Sequence, residues 1–229
     1  MFLDDALIVL NKPLKMSSFL AVKIVRGILG AKKAGHMGTL DPMADGVLVI
    51  GLNKGTKLFD KFLKSTKEYV SIFKLGVETD TLDADGEVLR TDNKIISKED
   101  FENALKSLIG KQSQIPPVYS AKKINGKRAC DLARAGKEVT LTPKEIEIYN
   151  LELLEVLDTN TFKVKILCSS GTYVRSIARD VAKLLSTYGI TQTITRTKSG
   201  DFHIENSFTL EDLRNGNFKT INISEVLND

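Results

Sequence analysis

The chain has 229 residues, of which 42% are hydrophobic and 27% charged, and its formal net charge at pH 7 is +4. These fractions are typical of a globular protein, the length suits one sizeable domain or two small ones, and the positive charge weakly favours a polyanionic partner. The two histidines and the two distant cysteines, Cys130 and Cys168, do not have the spacing of a zinc site, so the sequence predicts no metal.

The N-terminal segment indicates where the protein works. Its apolar run, residues 6–10, is much too short for the core of a signal peptide or for a membrane span. Cysteines without a pairing pattern are typical of a reducing compartment. The sequence therefore predicts a cytoplasmic protein with no membrane partner.

The same run predicts a short buried strand that ends at Asn11-Lys12-Pro13.

A helix and a glycine-rich loop come next. Ser17 or Ser18 is expected to cap the helix, whose apolar residues recur at helical spacing until a glycine ends it. The loop, residues 35–46, has three glycines, and Asp41 stands directly before a proline, which moves its backbone away from the helical region. Two interpretations follow. Asp41 caps a one-turn helix, the commoner use of Asp-Pro, or a tight loop presents its carboxylate in front of a buried strand over residues 47–50.

The middle of the chain combines strands, turns and a helix. Alternation over residues 68–75 predicts a strand with Tyr69 on one of its two faces. The acids of the turn-rich segment 79–86 do not form an EF-hand, because this segment lies between strands and not between helices. Ser97 is expected to cap a helix that ends at Gly110. The apolar stripe of that helix is predicted to be Phe101, Ala104, Leu105, Leu108 and Ile109.

The densest basic segment is residues 122–128. A solvated surface is the usual explanation of a lone run of charges. Here Pro116-Pro117 precede the run and Tyr119 lies beside it, which favours an arm that protrudes and tracks a phosphate backbone. The phosphate contacts of such an arm are expected from Lys122, Lys123, Lys127, Arg128 and Lys137.

The C-terminal half supplies more strands than helices. Strands are predicted over residues 145–157, 162–168 and 190–196, with a helix over 173–185 and a last short helix from Thr209. The longer helix is predicted to bury Val174, Ile177, Ala178, Val181, Leu184 and Leu185. Because several successive strands lack a helix between them, we predict an α+β fold with a mixed, mainly antiparallel central sheet flanked by helices.

Arg175 stands in the first turn of the 173–185 helix, where a cation opposes the helix dipole at a cost of roughly 0.3–1 kcal/mol. A partner is therefore expected, and a carboxylate is the natural one. Arg179 lies four residues further on, so both side chains project on one side of the helix. The alternative is that Arg175 contacts a surface acid or solvent.

Six short motifs follow one another along the chain: Lys12-Pro13; Gly35-His36-Met37-Gly38-Thr39-Leu40-Asp41-Pro42; Lys67-Glu68-Tyr69; Thr79-Asp80-Thr81 with Asp83; Pro116-Pro117-Val118-Tyr119-Ser120-Ala121; and Ser170-Gly171-Thr172-Tyr173-Val174-Arg175. In type, order and spacing they resemble the motifs of the TruB-type tRNA pseudouridine synthases. Each motif alone is a weak signal. The resemblance is specific because the set extends from about Ala6 to about Leu213 in the family's order.

This resemblance implies a pseudouridine synthase fold, with residues 1–229 as a single catalytic domain. It also implies that the insertion of residues 112–144 is an RNA-binding arm, whose basic residues contact the RNA backbone. It implies an isomerase that breaks the bond between ribose and uracil N1, turns the base and joins the sugar to C5. No cofactor is involved. The implied substrate is a uridine at position 55, in the T loop of tRNA. The expected partner is the tRNA T stem-loop, and the expected state is a monomer.

The resemblance also implies roles for single residues. Asp41 is expected to be the catalytic carboxylate, and Arg175 to pair with it and keep it ionised. Tyr69 is expected to act in catalysis by stacking on the flipped uracil, and such stacking contributes about 1–3 kcal/mol per base. The other substrate contacts are expected from Lys12, His36, Tyr173 and Ile194. Ile194 stands where the family usually has leucine.

Several alternatives follow from the same residues. Asp41 can attack the sugar or the base covalently, or abstract a proton. A non-catalytic tRNA-binding or folding chaperone on the same fold, and a synthase acting on another RNA, are the alternative functions. Met37, Asp45 and Lys15 depart from the family pattern, and Asp45 adds a second negative charge near Asp41. The chain ends before the C-terminal PUA domain of many relatives, so the catalytic domain and its arm are expected to grip the RNA.

Overall fold

A computed structural model describes residues 5–120, 122–124 and 126–224 of the chain. Three predicted positions lie outside this description: Ala121, and the side chains of Lys123 and Arg128. The chain forms two compact units. One comprises the chain up to Tyr69 and from Thr195 onwards, and the other comprises Val70–Ile194.

The strands and helices are numbered in chain order. The strands are β1 (Ala6–Lys12), β2 (Ala34–His36), β3 (Ala44–Leu52), β4 (Lys67–Leu75), β5 (Val77–Thr79), β6 (Val88–Thr91), β7 (Gly110–Gln114), β8 (Lys123–Ile124), β9 (Lys127–Arg128), β10 (Lys144–Asp158), β11 (Thr161–Cys168), β12 (Gly189–Ser199), β13 (Phe202–His203) and β14 (Ile221–Asn222). The α-helices are α1 (Ser18–Ile28), α2 (Phe59–Leu63), α3 (Lys98–Ser107), α4 (Ala129–Arg134), α5 (Val174–Leu184) and α6 (Leu210–Asn215), and Asn53–Leu58 and Ile204–Asn206 are short 3₁₀ helices.

The first unit contains the strand order β14-β1-β3-β12, with β2 paired to β3 and β13 paired to β12. β1 runs antiparallel to β3, from Ala6 opposite Leu52 to Lys12 opposite Gly46. Its core cluster consists of Leu7, Val9, Met37, Val47, Val49, Leu58 and Phe62. Met37 departs from the family pattern because its side chain is a core residue here, with 1% of its surface exposed.

The second unit contains the strand order β12-β4-β11-β10-β7. The long strand β10 is antiparallel to both β11 and β7. Helix α3 packs on β10 and on α5, and the ring of Phe101 stacks on that of Phe162 with centroids 3.8 Å apart. Strand β4 buries every second residue, Tyr69 included. This alternation confirms the strand that was predicted over residues 68–75.

The fold is α+β, with a large, mainly antiparallel sheet and flanking helices, as predicted. Two predictions about burial were wrong. Ile109 is 41% exposed because α3 ends at Ser107, so the helical stripe does not reach it. Leu184 is 54% exposed, and it is the last residue of α5, so the buried stripe does not extend to the end of the helix.

In the described part of the chain, no helix is both long enough and apolar enough to cross a membrane. No group of three or more His, Cys, Asp or Glu side chains there is arranged to hold a metal ion.

Candidate active site

Asp41 lies in a tight turn and not in a helix. Its carbonyl accepts a hydrogen bond of 3.0 Å from the amide of Ala44, which closes a turn with Pro42 in the second position, where proline is favoured. Strand β2 ends at His36 and β3 begins at Ala44. The segment between them has no helix. The helix-cap interpretation of Asp41 was therefore wrong, and the interpretation as a tight loop in front of a buried strand is confirmed.

The start of α1 anchors this turn. The hydroxyl of Ser18, which is 2% exposed, donates to the Leu40 carbonyl and accepts from the Leu40 amide, both at 2.8 Å. The Lys15 amide donates to the Pro42 carbonyl at 2.8 Å. Ser17 caps the helix by accepting from the Leu20 amide, so the two neighbouring serines have different tasks. The residues on both sides of Asp41 are held by backbone contacts that no motif predicted.

A buried arginine holds the turn from a second direction. The guanidinium of Arg196 donates to three backbone carbonyls: those of Val47 at 2.7 Å, Thr39 at 3.3 Å and Gly38 at 3.1 Å. Its exposure is 1%. The sequence analysis did not single out this residue. The available signal was the period of two in β12, which places Arg196 on the same face as the buried Ile194.

Lys12 is fully buried at the end of β1. Its ammonium donates to the carbonyls of Pro13 at 2.8 Å and Met16 at 2.7 Å. Burial lowers the pKa of Lys12 to about 8, although the charges of Asp45 and Asp41 act to raise it. One carboxylate oxygen of Asp45 is buried without a hydrogen-bond partner in the described residues. Lys12 and two acids therefore interact at this end of the sheet.

We expect the free energy of unfolding to rise between about pH 8 and pH 10.5 because of Lys12. In this window the unfolded chain holds the lysine proton and the folded chain has released it, so raising the pH favours the folded state. The measurement is urea unfolding of the wild type and of Lys12→Met across this range. The stability difference should change in favour of the wild type as pH rises. A stability difference that does not change with pH would contradict the lowered pKa of a buried ammonium. The matched control is Lys15→Met, which replaces an exposed lysine.

His36 and Tyr69 belong to the same unit as Asp41. Burial and, second to it, the charge of Arg196 lower the pKa of His36 below 6.5, so the imidazole is neutral at neutral pH. Its Nδ1 atom is buried without a hydrogen-bond partner among the residues described. Tyr69 is 8% exposed. Both side chains are thus largely withdrawn from solvent.

Arg175 begins helix α5 of the second unit and is 4% exposed. It donates to the carbonyls of Thr81 at 2.7 Å and Tyr119 at 2.9 Å, and its Nη1 lies 3.5 Å from Oδ2 of Asp83. The prediction that Arg175 needs a carboxylate partner is confirmed by Asp83. Burial raises the pKa of Asp83, which the Thr81 hydroxyl and Arg175 partly offset. The pairing of Arg175 with Asp41 stays a prediction.

At the start of α5, Gln114 bonds to the backbone in place of a capping side chain. The N-cap residue is Tyr173, and its own side chain makes no capping hydrogen bond. Its amide instead donates to Oε1 of Gln114 at 2.8 Å, and its carbonyl accepts from Nε2 at 3.2 Å. The side chains of Ser176 and Arg179 both donate to the Ile115 carbonyl at 2.9 Å. The first turns of α5 therefore hold the first residues of the basic insertion. Ile194, in β12, is 5% exposed.

The predicted arm contains the β8–β9 hairpin and α4. Its first residues, 112–114, belong to β7 and pair with β10. Lys127 and Lys137 are exposed. The ammonium of Lys122 donates to the Thr142 carbonyl at 2.7 Å and to its hydroxyl at 3.1 Å. Lys122 thus connects the segment just before β8 with the segment that follows α4.

Comparison with known proteins gives consistent matches. A family model described as TruB family pseudouridylate synthase, N-terminal domain, matches residues 26–174. The tRNA pseudouridine synthase B of Francisella philomiragia is 42% identical over 217 residues, which are 94% of this chain and 72% of that protein. The enzyme of the same name from Clostridioides difficile is 43% identical over 212 residues, 91% of this chain and 70% of that protein.

Solved structures also match. A crystal structure of a Cbf5-Nop10-Gar1 complex contains a chain with a TM-score of 0.72 and 27% identity, covering 92% of this chain and 54% of that chain. A structure of an H/ACA RNP bound to a substrate RNA containing 2'-deoxyuridine gives a TM-score of 0.69 and 25% identity, with 92% and 52% coverage. This chain spans about half the length of these structural relatives.

Proposed function

The chain belongs to the TruB family of pseudouridylate synthases, and on this premise we propose that it isomerises uridine to pseudouridine in tRNA. The observation that carries the proposal is the Asp41 turn, in which the residues on both sides of the acid are anchored by hydrogen bonds to their backbone. This isomerisation needs neither an oxidant nor an added group. A catalytic acid that contacts an extruded nucleoside is therefore sufficient for it.

The proposed substrate is the uridine at position 55, in the T loop of the T stem-loop. The relatives at 42–43% identity carry the name tRNA pseudouridine synthase B, which supports tRNA as the RNA. The reacting bond joins ribose C1' to N1 of a base that is stacked within the loop. An enzyme reaches such a bond by extruding the nucleotide into a pocket.

Asp41 carries the chemistry in this proposal. The C1'–N1 bond breaks, the uracil turns, C1' bonds to C5, and the hydrogen of C5 is lost while N1 gains a proton. The carboxylate can serve as a nucleophile towards sugar or base, or as the base that takes a proton. Both routes need an ionised aspartate, which a pairing with Arg175 would favour.

The remaining site residues bind the nucleotide. Tyr69 would stack on the uracil, and because its ring is 8% exposed, a ring face has to become accessible as the nucleotide enters. His36 would contact the RNA as a neutral imidazole. Tyr173 and Ile194 would line the pocket. We place Lys12 among the residues that support the bound nucleotide through its interaction with Asp41.

Binding to tRNA is expected to weaken with salt, because the arm would neutralise phosphates. Each phosphate contact changes the slope of log K against log salt by about 0.7–0.9. The double variant Lys127→Gln/Lys137→Gln should therefore flatten the slope by about 1.4–1.8, measured by fluorescence anisotropy. The matched control is Lys106→Gln/Lys183→Gln, two exposed lysines outside the insertion. Equal slopes for both double variants would contradict the arm.

The function is tested by incubating the purified chain with an unmodified tRNA transcript and mapping pseudouridine at single-nucleotide resolution. The expected product is one pseudouridine in the T loop. Modification of a different RNA, with none in the tRNA, would make the chain a synthase for that RNA. Binding of tRNA without modification of any RNA would leave the chaperone function, and this result would refute the proposed enzyme.

A further inference from the structure

Among the described residues, Arg196, in β12, has the largest of the fully buried side chains. A buried charge is costly unless its donors are satisfied, and an apolar residue could fill the same space at less cost. All the hydrogen-bond acceptors described for this side chain are backbone carbonyls in or beside one loop. The position of these carbonyls therefore indicates what the charge is for.

The three acceptors flank Asp41 in the sequence. Gly38 and Thr39 precede it, and Val47 follows it in β3. A single planar group thus ties the incoming and the outgoing ends of the loop. The backbone of Arg196 also lies against Gly46, where a Cβ atom would collide with it and would stand 2.9 Å from its nitrogen. Gly46 has a φ of +96°, so glycine is required there both for conformation and for space.

We propose that Arg196 is a positioning residue for catalysis, which fixes the Asp41 carboxylate by clamping the backbone on both sides of it. The inference rests on the proposed function of Asp41. Arginine suits this task because its donors diverge in a rigid fork, whereas a lysine ammonium is a point charge on a flexible stem. Gly38, one of the clamped residues, has a φ of +119°. Because a glycine can adopt many other backbone conformations, contacts from outside the loop have to hold it in this one.

The test compares Arg196→Lys with the wild type in single-turnover pseudouridine formation. The expected result is a fall in the rate constant by about 10²-fold, because a displacement of about 1 Å at the reacting group has an effect of this size. The KM for tRNA should change by less than about threefold. If the role of Arg196 were purely structural, Arg196→Lys would lower the melting temperature of the protein. The rate constant would then not fall selectively while the KM stays nearly unchanged.

Chemical rescue gives a second, independent readout. In Arg196→Ala, added guanidinium should restore the rate by about tenfold or more, while urea, a neutral molecule of the same planar shape, should not. Lys67→Met is the matched buried cation, whose ammonium donates to the carbonyls of Phe62 and Ser65. Guanidinium should not accelerate that variant. Where Arg196→Ala does not fold, Arg196→Lys decides the question alone.

Failure of the inference can be distinguished from failure of the proposed function. A wild type that makes no pseudouridine refutes the function. The clamp is then judged by hydrogen exchange at the Leu40 amide, which bonds to Ser18 and should exchange at least about tenfold faster in Arg196→Lys, while the β1 amides stay unchanged. An active wild type with wild-type rate and exchange in Arg196→Lys would overturn the inference.

Discussion

Replacing Asp41 by asparagine should abolish pseudouridine formation while the protein stays folded and binds tRNA. The amide has nearly the same shape as the carboxylate but is neither a nucleophile nor a base. The turn should survive, because its closing bond uses the backbone carbonyl of residue 41 and not the side chain. Loss of a catalytic group that acts in concert with others costs about 10³-fold or more in rate.

The rate is measured by release of tritium from tRNA that carries 5-tritiated uridine, since C5 loses its hydrogen when the new bond forms. Asp45→Asn, four residues away and also acidic, is the control and should retain most of the activity. Full activity in Asp41→Asn, or equal losses in both variants, would remove Asp41 from its role.

Replacing Arg175 by lysine should lower the rate constant by about 10²–10³-fold, the range seen when one preorganised donor is lost from a catalytic site. Arg175 makes contacts in three directions, to Thr81, Asp83 and Tyr119. A lysine cannot reproduce this fork. The charge that is proposed to pair with Asp41 would then no longer be held in one orientation.

The control for Arg175 is one helical turn away. Arg179→Lys removes a guanidinium from the same helix, where it donates to Ile115 and contacts the neighbouring Asp180 at 2.9 Å. We expect this variant to lose stability but to keep its rate constant within about threefold of the wild type. Equal rate losses in both variants would mean that α5 acts only as a structural support. A normal rate in Arg175→Lys would contradict the proposed role outright.

Elements with a clear local period could be predicted from the sequence. The alternation in β4 and the cap at Ser97, which accepts from the Asp100 amide, depend on residues a few positions apart. The apolar stripe of α5 was predicted correctly at its centre, but the predicted burial of Leu184, the last residue of the helix, was wrong. Asp41 was expected either to cap a helix or to lie in a loop. The choice depended on where β2 ends and β3 begins, which is decided by strand pairing that the local sequence does not show.

Positioning residues could not be predicted, because their partners are distant in sequence. Gln114 acts on Tyr173, 59 residues away. Arg196 acts on Gly38, 158 residues away. Ser18 acts on Leu40, 22 residues away. None of these side chains has a local pattern that indicates its task. The family resemblance found the residues expected to act on the nucleotide but not those that hold the backbone around them.

The most direct test of the account is a crystal structure with a T stem-loop that carries 5-fluorouridine at position 55, since fluorine at C5 cannot leave as a proton. The account predicts an extruded nucleotide with its sugar or base against the Asp41 carboxylate and its ring on Tyr69. A nucleotide that stays stacked in the loop, or that binds away from Asp41, would contradict it.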